Sequence, residues 1–104
     1  MAWICLLLAG VLEIVWAFSM KQSQGFTRLV PSAITIIAAL ASFGFLSMAM
    51  RSLPLGTAYA VWTGIGALGA FAVGIVILQE PANAMRLAAA GMILGGLVLM
   101  KAAT

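Results

Sequence analysis

The chain has 104 residues, 65% of them apolar and 7% charged, with a mean hydropathy of +1.24. Soluble domains carry about 25% charged residues, so five Lys/Arg and two Glu exclude a water-soluble globule and define a membrane protein. The lack of His and Asp, with one Cys (Cys5), excludes a Ser-His-Asp or Cys-His catalytic set and a transition-metal cluster, and the isolated positive charges exclude a nucleic-acid-binding patch.

Four apolar stretches follow one another: residues 2–20, 29–50, 53–78 and 84–101. A bilayer core roughly 30 Å thick needs about 20 apolar residues in a helix, and none of the four alternates as a barrel strand would. The expected fold is therefore an all-α membrane protein with four transmembrane helices in a single domain over residues 1–104 and no enzymatic centre. The first stretch is expected to stay in the mature protein, because Glu13 interrupts any signal-peptide core. Cys5, inside it, is expected to pack as a small hydrophobe. Arg86, near the start of the fourth stretch, is expected to turn back to the headgroups.

Short connections make successive spans antiparallel neighbours. Both termini and Arg51 then lie on one side, with Lys21, Arg28 and Arg86 on the other. Orientation follows the Lys/Arg bias, and two against three is nearly balanced. Such a chain inserts with its termini inside, with its termini outside, or in both orientations, and the last permits antiparallel pairing with itself. Four helices are too thin to enclose a wet site at mid-depth, so an oligomer is expected. Gly91 and Gly95 form a small-xxx-small pair on the fourth span that suits helix association.

Glu13 lies two positions beyond the midpoint of the first stretch, about 3 Å along the helix axis. An acid at that depth is a functional group by default. Lys21, the nearest basic residue, is about 12 Å away along the helix. Burial disfavours the ionised form of a carboxyl, so such a group is either protonated or neutralised by a cation from outside. A site holding protons and an organic cation in turn is an exchange device. Trp16, one turn on, shares its face, and Gly10 is expected to leave space beside the carboxyl. Ser42, midway along the second stretch, is a candidate donor to it. Tyr59 and Trp62 repeat the i, i+3 spacing in the third stretch and offer aromatic faces to a cation. Gly64, Gly66 and Gly69 permit close helix contact or a bend.

Three segments resemble the small multidrug resistance transporters, in particular their guanidinium-exporter subtype. They are Leu12-Glu13-Ile14-Val15-Trp16-Ala17, Gly25-Phe26-Thr27-Arg28-Leu29-Val30-Pro31-Ser32, and Gly56-Thr57-Ala58-Tyr59-Ala60-Val61-Trp62-Thr63-Gly64-Ile65-Gly66. The resemblance implies an antiparallel, dual-topology homodimer in a bacterial inner membrane. It also implies proton-coupled export of guanidinium by alternating access, with the proton as coupling ion and no cofactor. Glu13 of both subunits would bind proton and substrate, with Trp16, Ser42, Tyr59 and Trp62 around it. Trp16 and Lys101 are the marks of the guanidinium subtype. Small residues in the second span (Ala38, Ala39, Ala41 and Gly44) imply tolerance of substituted guanidinium. The rival readings are a quaternary-ammonium or multidrug exporter of the same family, and a non-transporting structural membrane subunit.

Overall fold

A computed structural model of the chain describes residues 1–103. Four α-helices follow one another: α1 (Ala2–Gln22), α2 (Leu29–Ala49), α3 (Leu55–Val76) and α4 (Ala84–Ala102). All four are long and apolar enough to cross a membrane. Hydrocarbon offers no partner to a free backbone N–H or C=O, and a helix satisfies these groups within itself.

The ends of the helices have local causes. Proline disfavours helical geometry in the residue before it, so Leu53 stays outside and Pro54, at φ −60° and ψ 150°, caps α3. Helix α3 therefore starts two residues later than the apolar run suggests. It also stops two residues earlier, at Val76. There the Ile77 and Leu78 amides donate to the Val73 carbonyl and the Glu80 amide donates to Gly74, turning the chain back over the last turn. Helix α4 is capped by Asn83, whose side-chain oxygen accepts from the Arg86 amide at 2.9 Å. Beyond α1, the fully buried Ser23 donates to the Met20 carbonyl at 2.7 Å and accepts from the Phe26 amide at 3.0 Å. The turn that follows takes Gln24, Gly25 and Phe26 through positive φ, which only Gly25 adopts without a steric cost.

Helix α1 is central, packed against both α2 and α3, while α4 packs against α3 alone. The result is a slab of 40 × 35 × 16 Å. Small residues hold the interfaces: Ala9, Ala38, Ala49 and Ala58 are buried, with Leu6 the largest apolar side chain fully enclosed. This is how membrane helices associate, because lipid tails are as apolar as leucine and close backbone approach supplies the attraction. Cys5 packs in the same core. Charged side chains mark the two ends of the slab. Lys101 lies 4.6 Å over the Trp3 ring, bringing the end of α4 beside the start of α1. Lys21 and Glu80 line one cavity of about 220 Å³ at the opposite end. Arg86 donates to the Pro81 carbonyl, with its guanidinium 5.1 Å from the Phe71 ring centre.

Candidate cation-binding site

Glu13 sits one residue past the midpoint of α1, about 1.5 Å along the axis. Its side chain lies across the α1–α3 interface in a notch made by Gly66. A Cβ added at Gly66 would collide with Glu13 Oε1, Cδ and Cγ. Glu13 Oε1 is buried and has no hydrogen-bond partner among the described residues. Buried polar atoms are nearly always paired, so a buried carboxyl oxygen with no partner among the described residues, near the middle of α1, stands out from the rest of the interface.

Gly10 does not provide the space beside the carboxyl. A Cβ there would come within 2.5 Å of Ile65 Cγ2, so the gap above Gly10 is already filled from α3. The room for Glu13 comes from the third helix, not from its own. Two further glycines of α3 are notches too: a Cβ at Gly69 would strike Ile14, and one at Gly64 would lie 2.5 Å from Leu97 Cδ2 of α4. Helix α3 runs unbroken through all three.

Ser42 is fully buried but does not reach the carboxyl. Its hydroxyl donates to the Ala9 carbonyl at 2.6 Å and accepts from Trp62 Nε1 at 3.0 Å. A hydroxyl carries one proton, and here a backbone oxygen takes it. Ser42 therefore ties α2 to α1 and to α3 and fixes the Trp62 indole. Replacing it by alanine would leave the buried indole N–H unpaired, at a cost of about 1–3 kcal/mol. S42A is expected to unfold in detergent at a lower temperature than the parent chain, read by circular dichroism.

The aromatic side chains form a chain of edge contacts. Trp16 meets Phe43 at 6.5 Å between ring centres, Phe43 meets Trp62 at 5.9 Å, and Trp62 meets Tyr59 at 5.4 Å. Edge-to-face pairs at these distances are favourable. Phe43, which sequence reasoning passed over, links the two tryptophans. Its place four residues after Ala39 in an apolar helix carries no distinguishing signal. Trp16 Nε1, like Glu13 Oε1, is buried and has no hydrogen-bond partner among the described residues. Trp62 is buried, whereas Tyr59 is 54% exposed at the open end of the row. Gly91 and Gly95 lie apart from this cluster, on a face of α4 where an added Cβ would meet nothing within 4 Å.

Four helices long and apolar enough to cross a membrane place the chain among the small multi-pass membrane proteins. Comparison with known proteins narrows this. Residues 1–93 match the family described as Small Multidrug Resistance protein. A protein of Citrobacter freundii named "Guanidinium exporter" is 56% identical over 104 residues, covering 100% of this chain and 99% of its own length. Proteins of the same name from Salmonella typhimurium (56%) and Escherichia coli strain K12 (55%) cover the same shares. The chain belongs to the Small Multidrug Resistance family.

Proposed function

We propose that the protein exports guanidinium in exchange for protons, using Glu13 as the group that holds each in turn. The observation carrying this reading is the buried, unpartnered Glu13 Oε1 in the Gly66 notch at mid-membrane. The name shared by the relatives at 55–56% identity supports guanidinium as the cargo.

Guanidinium is planar, with N–H donors at its rim, and a carboxylate accepts two of them in parallel. The orphaned Glu13 oxygen is suited to accept, and the neighbouring Trp16 and Trp62 faces attract a desolvated cation. Protonation of the carboxyl removes its charge and turns one of the two acceptor oxygens into a donor, which breaks the paired contact and releases the cargo. Mutual exclusion at one group is what couples the two flows.

The working unit in this reading is an antiparallel, dual-topology homodimer in a bacterial inner membrane. It places two Glu13 carboxyls around one cation, and the two subunits rock to change the side of access. The near-balanced Lys/Arg distribution suits insertion in both orientations. The open Gly91–Gly95 face of α4 suits contact between copies. Ala41 and Gly44, on the exposed side of α2, leave room for alkyl groups on a substituted guanidinium.

Proteoliposomes holding only this polypeptide and an internal pH dye test the reading. Guanidinium added outside should enter as protons leave, so the interior should turn alkaline, while tetraethylammonium should give a much smaller response. No proton movement with guanidinium overturns exchange, and equal responses overturn the cargo assignment.

A further inference from the structure

Helices α1 and α4 do not approach each other along their backbones, since α4 rests on α3 alone. Between them lies a groove of about 660 Å³, floored by Val61 and Ile65 of α3 and walled by Ile4, Leu7, Leu97 and Val98. That volume falls in the range of about 300–1,000 Å³ typical of ligand sites. One end is polar: Lys101 stands there, its ammonium 4.6 Å over the Trp3 ring. We infer that this groove binds one acyl chain of an anionic phospholipid, with the Lys101 ammonium pairing with the headgroup phosphate at its mouth.

Depth, charge and shape agree on that occupant. Trp3 and Lys101 lie at the ends of their helices, at the level where tryptophan and lysine meet headgroups. From there the groove descends to Ile65, ten residues into α3 and about 15 Å from its start, which is half the hydrocarbon core. It thus spans one leaflet, headgroup level to midplane, as a lipid tail does.

The mouth is positive and uncompensated among the described residues. Glu80 belongs to the opposite end of the slab, with Lys21. Glu13 is turned into the Gly66 notch, nine positions along α1 from Ile4. The indole face under Lys101 holds the ammonium without neutralising it. An anionic headgroup completes the site, and basic pockets between membrane helices select such lipids. The site is independent of the Glu13 chemistry.

Lipids brominated along the acyl chain quench a tryptophan they touch, which makes Trp3 a built-in reporter. The full chain is reconstituted in phosphatidylcholine vesicles with a small fraction of brominated phosphatidylglycerol or brominated phosphatidylcholine of the same acyl chain. The share of Trp3 is taken as the difference between the parent chain and W3F. Brominated phosphatidylglycerol should bind about five-fold better than brominated phosphatidylcholine, the preference one cation at the surface supplies. K101Q should lose that preference, and K101R should keep it. Equal quenching by the two lipids in the parent chain overturns the proposal, as does a preference that survives in K101Q. Absence of Trp3 quenching by either lipid also overturns it.

Discussion

Glu13→Gln is expected to abolish guanidinium-coupled proton flux while leaving the helices and their packing intact. Glutamine matches glutamate in size and fits the Gly66 notch, so the α1–α3 interface keeps its geometry. What it lacks is charge and a titrating proton. Two charge-assisted hydrogen bonds to a guanidinium contribute about 1.5–3 kcal/mol each. The amide keeps one neutral acceptor oxygen, so losing one of these bonds and the charge on the other predicts a drop in guanidinium affinity of at least about 10-fold, measurable by calorimetry on the purified protein. Proton movement should fall to that of empty liposomes. Circular dichroism and size-exclusion elution should match the parent. An E13Q protein that still drives guanidinium against its gradient would sink the exchange mechanism and, with it, the role given to the orphaned oxygen.

Much of this arrangement was readable before any coordinates. The four spans follow from runs of apolar residues too long for anything but membrane helices, and Glu13 stood out because nothing else in those runs is acidic. Its depth in α1 and the shared face with Trp16 follow from helical periodicity alone. What the sequence did not reveal depends on the register between helices. Gly66 faces Glu13 and Gly10 faces Ile65 because α3 lies against α1 at one particular height, and no local pattern encodes that height. Ser42 illustrates the same limit. A hydroxyl at mid-membrane must donate to something, but whether it finds a carboxylate or the Ala9 carbonyl depends on about one helical turn of sliding between α1 and α2. Phe43, 48% exposed, looks like any lipid-facing aromatic until its ring is seen between two indoles. Local rules fared better at the helix ends, where Pro54 overrode the apolar run that preceded it.

Gly66→Ala is expected to remove transport with little loss of stability, and that separation is the sharpest consequence of the notch. The added methyl would occupy the space of the Glu13 carboxyl, meeting only the far, flexible end of a side chain. Rotation about its side-chain bonds lets Glu13 swing aside, so the helices need not part. The carboxyl, though, leaves the notch in which the proposed exchange needs it. Misplacing a binding group by about 1 Å can cost 100-fold in rate, and guanidinium-driven proton flux should fall by at least about ten-fold. Gly10→Ala gives the opposite pattern. Its methyl would lie 2.8 Å from Ile65 Cβ, next to the backbone of α3, where no rotation relieves the contact. Overpacking of that kind costs about 1–3 kcal/mol, and G10A should melt earlier in detergent than G66A. A shorter acid supplies the decisive comparison. Aspartate at position 13 draws the carboxyl back by one methylene and no longer needs the notch. E13D should therefore be less harmful in the G66A background than in the parent chain, a coupling that a double-mutant cycle on flux measures directly. Additive losses, or a G66A protein that transports at the parent rate, would show that the Gly66 cavity does not set the position of the acid.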